Sequence, residues 1–140
     1  MSDLQVEVTE GKGWKAGNLD GMGEGPGFRK VRTELGVTEM GVNAIVLPAK
    51  VGTGAHWHER QEEVYFVHEG TLRFTMGEND EESVTLGPGG VIRVEAATQR
   101  SVANVGDTEA TYIVFGSAGG YVGRDGSHRE GQPRVVPVEG

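Results

Sequence analysis

Two histidines and a glutamate stand close together in the stretch Gly54-Ala55-His56-Trp57-His58-Glu59-Arg60-Gln61-Glu62-Glu63. Strand side chains alternate between faces, so His56 and His58 point the same way if this segment is extended. A hairpin return would bring Glu63 back beside them. Two imidazoles and one carboxylate converging in this manner make a 2-His-1-carboxylate metal site with positions open for water, oxygen or substrate. Neutral imidazole suits Zn, Fe, Ni and Cu, and the carboxylate also admits Mn. His-x-His alone is short and recurs by accident on surface strands. The chemistry therefore depends on whether the fold returns Glu63 to the same face.

The surrounding elements favour that return. Short apolar runs of period two are separated by turn signals. Strands are expected at Leu4–Thr9, Phe28–Thr33, Val42–Leu47, Ala55–His58, Glu63–His68, Thr71–Met76, Ser83–Leu86, Val91–Glu95, Gln99–Asn104 and Ala110–Phe115. Val135, Val136 and Val138 offer one more near the C-terminus. Gly11–Gly27 reads as a long loop that Trp14 pins to the body, and Gly87-Pro88-Gly89-Gly90 is a strong turn. The acidic run Gly77–Glu82 lacks the ligand spacing of a calcium loop and reads as a hairpin tip. About ten short strands with frequent turns indicate an all-β sandwich or barrel. On parity, Tyr65 and Val67 face inward with Glu63, while Trp57 faces away from the histidines and His68 faces outward. Tyr65 lends its hydroxyl to the pocket or is a core tyrosine with a satisfied OH, the second being preferred. His128 falls in the Gly-rich tail and is expected to be exposed.

Length and charge narrow the partners. At 140 residues the chain is expected to form one domain over 1–140, with a barrel core at about 40–116, strands and a loop at 1–39 and a tail at 117–140. The net charge of -8 weighs against nucleic acid and against an anionic membrane surface. With no cysteine, thiolate zinc, Fe–S and disulfide chemistry are excluded. No signal-peptide pattern and no long apolar run are evident, so a soluble cytoplasmic protein is expected.

The spacing beyond the histidines resembles the first motif of the cupin family: His-x-His, three or four residues, Glu, six residues, Gly, here His56, His58, Glu63 and Gly70. The second motif can be laid over Gly89 to Asn104, and the resemblance covers roughly residues 40 to 116. It implies a double-stranded β-helix, that is a jelly-roll barrel of two antiparallel sheets with an interior pocket, and a homodimer. It also shows departures. The opening Gly of the first motif falls at Lys50, the Pro of the second at Glu95 and its internal Gly at Ala97. The family's third histidine falls at Arg100, and a guanidinium offers no lone pair to a metal. Arg100 either pairs with Glu63 in a metal-free pocket, or stands beside a three-ligand metal and binds an anionic group, or points to solvent at the rim. The expected function is binding of a small, anionic molecule in the pocket, with Arg100, Tyr65, His56 and His58 as contacts. His56, His58 and Glu63 either hold one divalent metal (Zn, Fe, Ni, Mn or Cu) there or line a metal-free pocket, and the sequence leaves the two open. The second functional expectation is a metal-dependent oxygenase or isomerase acting on a small carboxylate or sugar acid.

Overall fold

The computed structural model describes residues 7–138. Fourteen strands run through the described residues: β1 (Thr9–Gly11), β2 (Trp14–Ala16), β3 (Gly27–Arg29), β4 (Gly41–Leu47), β5 (Val51–Thr53), β6 (His56–His58), β7 (Glu62–Glu69), β8 (Leu72–Met76), β9 (Glu82–Leu86), β10 (Val91–Val94), β11 (Arg100–Asn104), β12 (Ala110–Ser117), β13 (Gly126–His128) and β14 (Val135–Pro137). One short helix, α1, spans Val31–Leu35.

Two antiparallel sheets face each other, as the jelly-roll expectation requires. One has the order β10-β7-β12-β4-β3. In the other, β5 and β6 lie end to end along β11, with β14 and β13 on their far side. β8 flanks β11 on its opposite edge, and β9 flanks β8. The acidic run Gly77–Glu82 leads from β8 to β9 as a hairpin tip, as expected.

The sequence reading differs from the structure at both ends. Half of the expected strand Leu4–Thr9 lies outside the described residues, and of the rest only Thr9 is in a strand, opening β1. The expected loop Gly11–Gly27 contains a hairpin of β1 and β2, then a 3-10 turn at Leu19–Gly21 that Asn18 caps through its side chain. Trp14 is exposed and lies over Gly11 of its own hairpin instead of pinning a loop to the barrel. The expected strand Phe28–Thr33 stops at Arg29, and the chain turns into α1. Gly36, at φ 68°, ends that helix by donating its N–H to the Arg32 and Thr33 carbonyls. Besides β2, two more strands were missed altogether, β5 and β13. Both are three residues long and contain glycine, so neither carries a readable alternation.

The sheets enclose an apolar core of Ile45, Leu47, Tyr65, Val67, Leu72, Phe74, Val94, Val102, Ala110 and Tyr112. Tyr65, Phe74 and Tyr112 meet as an aromatic trio, with ring centres 5.4, 5.9 and 6.4 Å apart. Their bulk fills this part of the barrel interior. Outside, the five-stranded sheet presents Val64, Val91 and Phe115, with Met40 nearby, all exposed.

Two residues of the family-like pattern serve the frame and not the site. Gly70 turns β7 into β8 at φ 88°, where a Cβ would stand 2.5 Å from that of Ala110. Asn104 is fully buried; its Nδ2 donates to the Leu47, Pro48 and Thr108 carbonyls at 3.0, 3.0 and 2.8 Å, and its Oδ1 accepts from Gly106 N. That one amide joins the end of β4 to the turn before β12. We expect Asn104→Ala to lower the stability in urea denaturation by about 2–3 kcal/mol, because the buried carbonyls lose their donor. A loss below 0.5 kcal/mol, about the size of an ordinary surface change, would show that the turn is held by other contacts.

Candidate metal centre

Strand β6 presents His56 and His58 on the inner face, and β7 returns Glu63 beside them. His56 Nε2 lies 3.6 Å from Glu63 Oε1, and His58 Nε2 lies 3.2 Å from Glu63 Oε2. One ligand atom from each of the three falls within 4.8 Å of the others. The rings of His56 and His58 are edge-on, with centres 5.3 Å apart. His58 and Glu63 are buried, whereas the His56 side chain is 24% exposed, so the cluster sits just inside the mouth.

Burial favours a neutral Glu63, but His56, His58 and the Tyr65 hydroxyl overcome it and hold the carboxyl far below its ordinary range. Tyr65 donates to Glu63 Oε1 at 2.6 Å. Burial and then the Glu63 charge push the Tyr65 hydroxyl well up, so it remains a donor at any physiological pH. Tyr112, buried behind it, is raised for the same two reasons. Tyr65 therefore joins both alternatives of the sequence reading, as a core ring whose OH is satisfied within the site.

Two buried atoms show what the cluster fits. His58 Nε2 faces Glu63 without the alignment of a hydrogen bond, and Gln61 Oε1 has no partner. Gln61 Nε2 lies 3.2 Å from His58 Nδ1. Turning the Gln61 amide over would set its oxygen against Nδ1. Nδ1 would then carry the ring proton and Nε2 a free lone pair, the tautomer a metal requires. One ion and one amide rotation thus satisfy both atoms, so the donor set fits a divalent transition metal.

Asp125, which the sequence reading passed over, anchors this arrangement. Its carboxylate accepts from Arg60 N at 3.0 Å and Gln61 N at 2.9 Å, and its carbonyl accepts from Glu59 N at 3.1 Å. Its Oδ2 also lies 3.7 Å from His58 Nδ1. Gly116 leaves room for the Gln61 amide, since a Cβ there would stand 3.1 Å from Gln61 Cδ. The only hint in the sequence was the Gly-rich composition of the tail, which says nothing about contacts.

Arg100, at the position of the family pattern's third histidine, lies directly opposite His56 across β11 and β6. Its environment differs from two of the three alternatives. The side chain is fully buried, not at a solvent rim, and among the described residues it forms no ion pair with Glu63. Its guanidinium donates instead to the carbonyls of Val94, Glu95 and Ala96, at 3.4, 3.1 and 3.4 Å. Ala96 O also accepts from His58 N at 2.8 Å, so Arg100 steadies the loop that holds the His58 backbone. Nε of Arg100 is left buried and unpartnered.

Other side chains follow parity. Trp57 is half-buried opposite Ser127, away from the histidine face, and His68 is exposed. His128 is exposed, as expected, yet it pairs in register with His56. Burial, Arg134, His56 and His58 lower its imidazole below the ordinary value. Surface hollows of about 370 and 150 Å³ lie at the β1–β2 hairpin and beside Met40, Val64 and Phe115, and neither includes the cluster.

Asp125 supplies a pH test. Although burial raises it, the two backbone N–H groups, with His58 and Arg60 nearby, lower its pKa overall. A lowered folded pKa gives stability that is present above the ordinary carboxylate range and lost as pH falls through it. We expect Asp125→Asn to melt at a lower temperature than the parent at pH 7, with the difference shrinking steadily toward pH 3. A difference that stays constant with pH would mean that the carboxylate charge contributes nothing.

Residues 43–116, more than half of the chain, match the model of the cupin domain. No curated protein matches the chain. Among solved structures, a cupin protein from Bacteroides fragilis is 19% identical, with 84% of this chain and 86% of that chain covered and a TM-score of 0.60. A protein with a double-stranded β-helix domain from Klebsiella pneumoniae is 13% identical over 66% of this chain and 76% of that one, with a TM-score of 0.58. Oxalate decarboxylase from Bacillus subtilis, studied for its Mn(II) centres, is 14% identical, with 84% of this chain but only 39% of that chain covered and a TM-score of 0.63. At these identities the structures establish the fold alone, and together with the domain match they place the chain in the cupin family.

Proposed function

We propose that this cupin holds one divalent transition metal on His56, His58 and Glu63 and binds a small anionic molecule at the barrel mouth. The observation that carries the reading is the unaligned, buried Nε2 of His58 facing an ionised Glu63. A bound metal would supply Lewis acidity and open coordination positions. The chain's own residues do the rest. Tyr65 keeps its proton and orients the Glu63 carboxylate, and Gln61 selects the His58 tautomer. The aromatic trio packs beneath the cluster, so a ligand approaches from the His56 side. Arg100 adds a permanent interior cation behind the cluster, and its unpartnered Nε gives that cation an unspent donor.

A second reading, a metal-dependent oxygenase or isomerase acting on a small carboxylate or sugar acid, uses the same residues. It is favoured by the solvent-reachable His56, which leaves approach to the metal open. Zn, Fe, Ni, Mn and Cu all suit the donor set. The exposed apolar outer face with Val64, Val91 and Phe115 supports a homodimer. No helix among the described residues is long and apolar enough to cross a membrane.

Elemental analysis of the purified chain tests the metal. We expect a transition metal near one equivalent per chain, lost in His56→Ala and Glu63→Ala variants that remain folded. Trace metal with no uptake on reconstitution would overturn the proposal. Arg100 is tested with oxalate as a probe anion, titrated calorimetrically against the metal-loaded chain. Arg100→Met removes the charge while keeping most of the bulk, and we expect oxalate affinity to fall at least fivefold. Unchanged affinity would leave Arg100 as a loop anchor only. Chelation separates the two readings: binding to the barrel persists without metal in the first, and turnover disappears with it in the second.

A further inference from the structure

Strand β6 is flanked on both sides. Across β11 its His56 faces Arg100, and across β13 it faces His128. Directly paired residues of antiparallel strands project to the same face. Arg100, His56 and His128 therefore form one row across the inner surface, and the neighbouring pair Gly126 and His58 leaves the space beside His58 unfilled. The position that would supply a third histidine from β11 holds a cation, but a histidine stands on the opposite flank of His56.

The distances come close to those of a shared ion. With imidazole–metal bonds of about 2.0–2.1 Å, ring centres of two histidines on one ion fall about 4.5–5.5 Å apart. His56 and His58 are already 5.3 Å apart, and His56 and His128 are 6.0 Å apart, tilted by 34°. His128 stands outside the tight three-residue cluster, and because the side chain is exposed, rotation about its χ angles would close the difference.

The strand that carries it is not a loose tail. On one side Asp125 takes the backbone N–H groups of Arg60 and Gln61. On the other, Arg129 donates to both Asp80 oxygens at 3.1 Å, to Gln99 Oε1 at 2.9 and 2.8 Å and to Gly77 O at 3.1 Å, and its backbone N–H reaches Ala55 O at 3.0 Å. These clamps sit three residues before His128 and immediately after it. They fix the backbone from which the imidazole projects, leaving only the side chain to adjust.

We infer that His128 is the fourth protein ligand, completing a three-histidine, one-glutamate centre from the C-terminal strand β13 in place of β11. The inference rests on the metal-binding reading above and adds the source of the last donor. It also accounts for how Arg100 is accommodated: the charge lies on the flank opposite His128, where its guanidinium is turned to loop carbonyls.

Co²⁺ serves as the probe for the full-length chain. Each imidazole bound to Co²⁺ gives one exchangeable, hyperfine-shifted N–H resonance in the proton spectrum, so the bound histidines are counted directly. We expect three such resonances in the parent and two in His128→Ala, together with at least tenfold weaker Co²⁺ binding by calorimetry. His68→Ala, an exposed histidine elsewhere, is the control and should retain three resonances and parental affinity. Two resonances in the parent, or three surviving in His128→Ala, overturn the assignment of His128 while leaving the His56, His58 and Glu63 site standing. No Co²⁺ binding by the parent overturns both. Should His128→Ala fail to fold, the count in the parent and the His128→Gln variant decide the matter.

Discussion

A carboxylate kept ionised inside the barrel governs this structure. Moving a charge out of water costs several kcal/mol unless partners replace the lost hydration. Glu63 obtains that replacement from two imidazoles and the Tyr65 hydroxyl. Each of these must arrive from a fixed direction, so strand register, hairpin geometry and the aromatic trio beneath are all constrained by one side chain. Tyr65 shows the coupling most clearly. Its ring belongs to the apolar core, packed on Phe74 and Tyr112, while its oxygen belongs to the site. Core packing thereby sets the position of the carboxylate.

The same constraint explains the polar contacts around the cluster. His58 must be held at its backbone, at Nδ1 and at Nε2, and three different segments do this. The loop after β10 takes its backbone N–H, Gln61 meets Nδ1, and Glu63 faces Nε2. Arg100 steadies the first of these and Asp125 the second. A residue that in the family pattern would be a ligand has become a support for one. The substitution is tolerated because the guanidinium finds loop carbonyls within reach, although one buried N–H stays unpaired.

Much of this was legible in the sequence. The all-β class followed from turn signals and short alternating runs, and the convergence of His56, His58 and Glu63 followed from strand parity and a five-residue return. The spacing from Gly89 to Asn104 set Arg100 at the position of the family's third histidine even where residue types depart from the pattern, but its pairing with His56 came only with the structure. What escaped was long-range and polar. Asp125 and Arg129 act across 30 residues of separation or more, and no local periodicity marks a residue whose partners are distant backbone N–H groups or a loop aspartate. β13 was hidden because Gly126, Ser127 and His128 have little strand propensity; their pairing is imposed by the edge of β6. The helix α1 was read as extended because five residues are too few to show a 3.6 period.

The position of Asp125 in the chain divides responsibility for the centre. The strands that carry His56, His58 and Glu63 belong to the barrel, whereas the carboxylate that anchors loop 59–61 comes from a segment beyond β12. Scaffold and mouth are thus secured by different stretches of sequence, and a change confined to the segment around Asp125 can loosen the mouth while the ligand-bearing strands stay paired.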